Sequence, residues 1–260
     1  MSDTLAGRAA VVTGGGRGIG AAVAQRLAGL GARVVLAART EAQVTNVARQ
    51  IAAAGGTAWA TTCDVTDPES ITALAAFARK HAGDIGILVN NAGFAHSAPL
   101  HRITRDDWHR LFAVNVTGTF LCTQAFVPGM IERRWGRVIN IASVAGLHGA
   151  KYVAAYSASK HAVIGFTRCL AAEVAEHGIT ANAVCPGYVD TDLTTESINR
   201  IVEKTGLSRE QAREHILRLN PQHRLITPDE VAHAVAALCH DDARGINGQA
   251  IVIDGGALLA

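Results

Sequence analysis

The stretch that most limits what this chain can become lies near its amino end. Ala9-Ala-Val-Val12 is a short apolar run, and Thr13-Gly-Gly-Gly-Arg-Gly-Ile-Gly20 follows at once. Ile19, Val23, Leu27 and Leu30 then recur at helical spacing. This order predicts a buried parallel strand, a glycine turn and a helix. Glycines let the backbone approach a pyrophosphate, and the helix start supplies free N–H groups and a positive dipole end. Strand, glycine turn and helix form the setting a dinucleotide-binding loop needs. A turn rich in glycine for steric reasons alone is the competing reading, and the flanks weigh against it.

The rest of the chain repeats the same alternation. Further strands are predicted at Arg33–Ala38, Thr57–Cys63, Ile85–Val89, Arg137–Ala142, Ile179–Cys185 and Gln249–Gly256. Helices are predicted at Glu41–Ala54, Pro68–Ala82, Thr104–Met130, Ser157–His177 and Pro228–Cys239, the last starting from Thr227 as N-cap. Such βαβα order requires a mostly parallel sheet with helices on both faces. The fold class is therefore α/β, a doubly wound seven-stranded Rossmann sheet. No linker or repeat divides residues 1–260, so one domain is expected. Residues 188–226 are the least regular part, with six acidic and six basic residues that read as solvated helix faces.

Composition removes several alternatives. A formal net charge of +2 argues against nucleic-acid binding. Met1–Arg8 lacks a basic-then-apolar signal, and no apolar run approaches the roughly 18 residues of a membrane span. A soluble, cytoplasmic protein is expected. Cys63, Cys122, Cys169, Cys185 and Cys239 are widely spaced and lack metal-ligand pairing, so they read as buried reduced thiols. No metal site is expected.

The chemistry gathers between Ser143 and Lys160. Tyr156 and Lys160 are four apart, which on a helix places both on one face. An ammonium beside a phenol favours the phenolate and can lower its pKa by roughly 1–3 units. A tyrosine so tuned can pass a proton near neutral pH. Ser143 follows a strand, and in an open α/β sheet the carboxyl ends of strands face the ligand crevice. Arg39 and Thr40 lie just past the second strand, where NAD-binding proteins place an acidic residue for the ribose 2′-hydroxyl. An arginine fork suits a phosphate instead, which favours NADP(H) over NAD(H). Arg17 is a second candidate phosphate ligand.

Taken together, Thr13-Gly-x-x-x-Gly-x-Gly20, Asn90-Asn-Ala-Gly93, Asn115, Ser143 and Tyr156-Ser-Ala-Ser-Lys160 resemble the short-chain dehydrogenase/reductase family over nearly the whole chain. The text from Gly136 through Asp192 is similar to that of bacterial 3-ketoacyl reductases and polyketide ketoreductases. The resemblance implies hydride transfer between a nicotinamide and a carbonyl or secondary alcohol carbon. Tyr156 would be the general acid or base, and Ser143 would orient the substrate oxygen. Lys160 would lower the tyrosine pKa and hold the nicotinamide ribose, and Asn115 would kink its helix and anchor a relay water. The cofactor would meet Gly14, Gly16, Arg17, Gly18, Ile19, Gly20, Arg39, Asp64, Val65, Asn91, Ala92, Gly93, Tyr156, Lys160, Pro186, Gly187, Val189 and Thr191. Asn90 would steady the central sheet. An NAD-dependent alcohol or 3-hydroxyacyl-CoA dehydrogenase is the alternative, and a non-catalytic nucleotide sensor is the reading from another class.

The resemblance also implies a substrate pocket formed by Phe94, His96, Ser143, Ala145, His148, Tyr156, Tyr188 and Leu193, with Ala150 and Tyr152 nearby and residues 188–226 as its cover. A 3-ketoacyl thioester or a similar small ketone is the expected partner. Relatives that take acyl-carrier substrates carry basic residues beside the entrance. Arg133 and Arg134 match the first place, while His177 stands where an arginine is common. A homotetramer is expected. The helix from Ser157 is apolar nearly all round, and the tail Ala257–Ala260 is apolar as well.

Overall fold

In the computed structural model, residues 4–259 are described. The reading of Met1–Asp3 and the last residue of the apolar tail, Ala260, lie outside that range. Seven parallel strands form one sheet: β1 (Ala9–Thr13), β2 (Arg33–Ala38), β3 (Thr57–Thr62), β4 (Ile87–Asn90), β5 (Gly136–Ile141), β6 (Ile179–Pro186) and β7 (Ala250–Ile253). Their order across the sheet is β3-β2-β1-β4-β5-β6-β7. The order reverses between β1 and β4, which opens a crevice at the carboxyl ends of those strands.

Alternation along each strand feeds two cores. Ala10 and Val12 of β1, Val34 and Leu36 of β2 and Ile139 of β5 face one way. They pack under α1 (Gly18–Gly29), α2 (Glu41–Ala53) and α9 (Pro228–Cys239). Ala9 and Val11 of β1, Val35 of β2 and Val138 of β5 face the other way. They meet α3 (Pro68–Ala82), α5 (Gly118–Arg133) and α6 (Ala154–Val174). A period-two strand buried on both faces has to be apolar throughout, which is why β1 reads as a continuous apolar run.

Three expectations change in detail. β4 starts at Ile87 rather than Ile85, because the Ile85 carbonyl is taken by the Arg133 guanidinium at 2.7 Å. β7 ends at Ile253, where the Asp254 carboxylate accepts from the N–H groups of Gly256 and Leu258 and turns the chain out of the sheet. The helix expected at Thr104–Met130 is α4 (Arg105–Phe112), a π turn over Ala113–Thr117, and then α5. Thr104 caps α4 with a reciprocal capping box to Asp107.

The run Arg105–Arg133 is 29 residues long with a mean hydropathy of 1.3 in its most apolar window, the length and apolarity of a membrane span. It is not a continuous apolar run, because Asn115, Thr117, Thr119, Thr123 and Gln124 interrupt it. Its apolar residues have a cover in the fold: Cys122, Phe126, Val127 and Met130 are buried against the sheet and α3. Cys169 also departs from expectation. It is exposed on α6, while the other four thiols are buried.

The segment 188–226 is more regular than its sequence suggests. It holds α7 (Asp192–Thr205) and α8 (Arg209–Leu217), the latter capped by Ser208 and Gln211. Ile198, Ala212 and Ile216 give these two helices a small core of their own.

Candidate active site

Gly14, Gly16, Arg17, Gly18, Ile19 and Gly20 carry the chain from the end of β1 into α1. Gly14 has φ +63°, a left-handed conformation that glycine adopts without steric cost. A Cβ at Gly20 would collide with the Gly14 carbonyl and with Asn91 Nδ2, so only glycine lets the helix start lie this close to the loop. Asn91 Nδ2 donates to the carbonyls of Thr13 and Gly14 at 3.0 and 3.1 Å. Its side chain therefore shapes the loop from β4. Arg17 is exposed and bonds Asp192 Oδ2 at 2.7 Å, which ties the glycine loop to the first turn of α7.

Arg39 stands exposed at the end of β2. Asp64 follows β3, and its carboxyl is held below the usual range by the Thr66 N–H and hydroxyl, with a smaller contribution from the Arg39 charge. Val65 is buried, its side chain against Gly118. Ala92 N donates to Thr13 Oγ1, and Gly93 faces Asn115 and Lys160: a Cβ there would lie 3.1 Å from Asn115 Oδ1 and 3.6 Å from Lys160 Nζ.

Ser143 leaves β5 and caps a short 3-10 turn, its Oγ accepting from Ala145 N at 3.1 Å. Tyr156 and Lys160 sit in the first turns of α6. Burial pushes the Tyr156 phenol up, and the neighbouring Ser143 hydroxyl pulls it part of the way back. Lys160 is 6 % exposed, and burial pushes its amine down to about 8. The ammonium donates to the Ile141 carbonyl at 2.7 Å and lies 5.8 Å from the Tyr156 ring centre. The lowering of the tyrosine pKa expected from Lys160 is not what is found: burial is the larger influence and raises it, while the ammonium bonds the Ile141 carbonyl of β5.

Asn115 lies inside the π turn that separates α4 from α5. Its Nδ2 donates to the Phe94 carbonyl at 3.1 Å and to Ser159 Oγ at 3.0 Å, and its Oδ1 accepts from Phe94 N. Thr119 Oγ1 donates to its carbonyl at 2.9 Å. Beneath it runs a buried polar chain that sequence reading missed. Thr123 Oγ1 donates to the Thr119 carbonyl, Asn90 Nδ2 donates to Thr123 Oγ1 and to Asn140 Oδ1, and Asn140 Nδ2 donates to Thr167 Oγ1. Asn90 does brace the sheet, through this chain. Ser157 Oγ donates to the Ala145 carbonyl at 2.7 Å and fastens α6 to the Ser143 turn. The two serines of Tyr156-Ser-Ala-Ser-Lys160 were the available signal for both ties.

The crevice rim is apolar and partly open. Ala145 is buried, Phe94 and His96 are partly buried, and Tyr152, Tyr188 and Leu193 are exposed. His148 and Ala150 are also exposed, and His148 Nδ1 lies 3.0 Å from the Gly149 carbonyl. His96 Nε2 lies 3.8 Å from Asp107 Oδ2. Pro186 ends β6, Gly187 N donates to Ile253 O, Val189 bridges to Ile226, and Thr191 precedes α7 with its methyl side toward Gly18. Arg133, Arg134 and His177 are not beside this crevice. They lie at the amino ends of the strands, where Arg133 borders a cavity of about 310 Å³ with Arg8 and Trp135. Arg134 donates to the Glu176 carbonyl there.

The model of the short chain dehydrogenase family matches residues 8–201. The chain belongs to that family. A 3-oxoacyl-(acyl-carrier-protein) reductase of Synechocystis is 38% identical over 257 residues, covering 98% of both chains. A D-beta-hydroxybutyrate dehydrogenase of Cupriavidus necator is 36% identical, covering 97% of this chain and 98% of its own. A variant actinorhodin polyketide ketoreductase crystallised with NADPH superposes with a TM-score of 0.94 at 37% identity, with 99% of each chain covered. As a short-chain dehydrogenase, the protein is an oxidoreductase acting on CH–OH and C=O groups and binding a nicotinamide cofactor. The glycine loop fits such a cofactor, because it leads directly into the N-terminus of α1, whose first N–H groups suit a pyrophosphate. Among the described residues no cluster of three or more His, Cys, Asp or Glu could hold a metal.

Proposed function

We propose that this short-chain dehydrogenase catalyses NADP(H)-dependent interconversion of a ketone and a secondary alcohol, with a 3-ketoacyl thioester or a similar small ketone as substrate. The observation that carries the reading is the convergence of Ser143, Tyr156 and Lys160 at the carboxyl end of β5, braced by Asn115. When bound, the nicotinamide supplies or accepts the hydride. Tyr156 protonates the carbonyl oxygen in reduction and takes that proton back in oxidation. The Ser143 hydroxyl orients the same oxygen. Lys160 holds the nicotinamide ribose, and the Asn115 carbonyl anchors a relay water. The glycine loop, Asp64, Val65, Ala92, Gly93 and the 186–191 turn bind the rest of the cofactor.

Arg39 supports the phosphate-bearing cofactor, since an exposed guanidinium at the end of β2 suits a 2′-phosphate. Arg17 is less available than its sequence position suggests, because Asp192 already engages it. The similarity to a hydroxybutyrate dehydrogenase favours, as a second reading, an NAD-dependent enzyme working in the oxidative direction. The placement of Arg133, Arg134 and His177 at the far end of the sheet weighs against a docking site for an acyl carrier on the same chain. A cytoplasmic homotetramer remains part of the proposal. Following reduced-nicotinamide absorbance with a panel of ketones and with NADPH or NADH tests it. No loss of absorbance with any ketone, and no gain with the matching alcohols, would sink the proposal.

A further inference from the structure

Arg200 stands on α7 and donates from one terminal nitrogen to Ser97 Oγ at 2.7 Å. Ser97 lies in the loop after β4, and the next residue in that loop, Ala98, donates its N–H to the Tyr152 carbonyl at 2.8 Å. The guanidinium thus joins the cover helix to the loop that leads from Gly93 and Phe94, and the next residue of that loop holds the stretch that leads into Tyr156. Arg200 is half-buried, and among the described residues no carboxylate pairs with it. Other cations of the cover segment are engaged differently. Arg218 pairs with Glu214, Arg224 with Glu230, and Arg209 bonds Asn199.

A guanidinium has five N–H donors in a planar fork, and one neutral hydroxyl satisfies a single donor. A cation withdrawn from water without an anion is unfavourable, and the fork geometry matches a carboxylate or phosphate. A second sign lies at the same junction. Tyr152 has φ +69°, a left-handed conformation uncommon for a bulky residue, and its ring is 61% exposed. Backbone strain of this kind concentrates where a ligand is received.

We propose that Arg200 is the anion-recognising residue of the substrate subsite, so that the substrate carries a carboxylate or phosphate group besides its carbonyl. This rests on the carbonyl-reducing reading above. Carboxylate and phosphate share the chemistry that the fork reads, and two matched pairs of ketones separate them. Acetoacetate against ethyl acetoacetate isolates a carboxylate. Acetoacetyl-CoA against acetoacetyl-N-acetylcysteamine isolates the phosphates of the carrier.

The measurement is the ratio of kcat/KM between the charged and neutral member of each pair, for wild type, Arg200→Met and Arg200→Lys. A ratio within one variant cancels losses of folded enzyme. In wild type the charged member should be preferred in one pair. Arg200→Met should lower that ratio by about tenfold or more, chiefly through KM, and Arg200→Lys should keep part of it. A ratio that Arg200→Met leaves unmoved in both pairs overturns the inference, as does a wild type that prefers the neutral member in both. Absence of turnover with all four ketones overturns this inference, and the carbonyl-reducing reading falls as well only if the wider ketone and alcohol panel is also inert.

Discussion

The Lys160 ammonium bonds the Ile141 carbonyl at 2.7 Å while lying 5.8 Å from the ring centre of Tyr156. The pair shares one helix face, as four-residue spacing requires, yet the charge is spent on β5. A phenol whose desolvation raises its pKa stays protonated at neutral pH, which suits a proton donor. The first test follows from that role. Tyr156→Phe removes the hydroxyl and leaves the cradle intact, so turnover should fall by roughly 10²–10⁴-fold while NADPH binding stays nearly unchanged. Near-wild-type ketone reduction by the variant would defeat the assignment.

Lys160 gives a pH signature. Burial lowers its pKa from 10.5 to about 8, so the amine is charged below about 8 and neutral above it. An anionic cofactor favours the charged form. NADPH affinity should therefore be full below about pH 8 and weaken as pH rises past it, and Lys160→Met should flatten the curve. Fluorescence titration of NADPH across that range checks this; a flat wild-type curve contradicts it.

The proposed preference for NADP(H) rests on one exposed side chain, Arg39. Arg39→Asp replaces a phosphate partner with a group that repels phosphate and accepts from a ribose hydroxyl. The ratio of kcat/KM for NADPH to NADH should fall about tenfold or more, equivalent to about 1.4 kcal/mol or more. A wild type that already prefers NADH removes the premise.

Much of this architecture could be read from residues, and the reasons for the remainder are physical. β1 and its glycine turn were legible because burial on both faces forces an unbroken apolar run, and because Gly14 and Gly20 occupy places that a side chain cannot. The π turn at Asn115 left no periodic trace, since it shifts the helix phase by a single residue. The direction of the Tyr156 shift was misjudged because spacing says that two side chains share a face and nothing about where a long lysine ends. Arg200 looked like one more member of a balanced charge set until Ser97 was placed against its guanidinium.

The buried chain through Asn90 makes a stability prediction. Its Nδ2 serves both Thr123 and Asn140, so Asn90→Ala strips two buried acceptors of a donor at once. The variant should lose about 1–3 kcal/mol of unfolding free energy. Denaturant titration reads the loss, and a variant as stable as wild type would show the chain to be dispensable.

Assembly can be tested at the outer faces of α5 and α6. Phe120 is 44% exposed and meets Phe166 edge to face at 6.3 Å between ring centres, and Cys169 is exposed on the same helix as Phe166. The expected tetramer would cover these rings. Light scattering should give four chains for wild type and a smaller assembly for Phe120→Arg. A wild-type monomer at all concentrations rules the tetramer out.

The cover segment leaves and rejoins the body at a single doorway. Val189 pairs with Ile226, Ile226 N donates to Tyr188 O at 2.9 Å, and Asp190 N donates to Ile226 O at 2.8 Å. Between those two points α7 and α8 share a small core. The body holds them through side chains, Arg17 to Asp192 and Ser97 to Arg200, and not through the strand ladder. Residues inserted in the turn between α7 and α8 should therefore leave the sheet register unchanged.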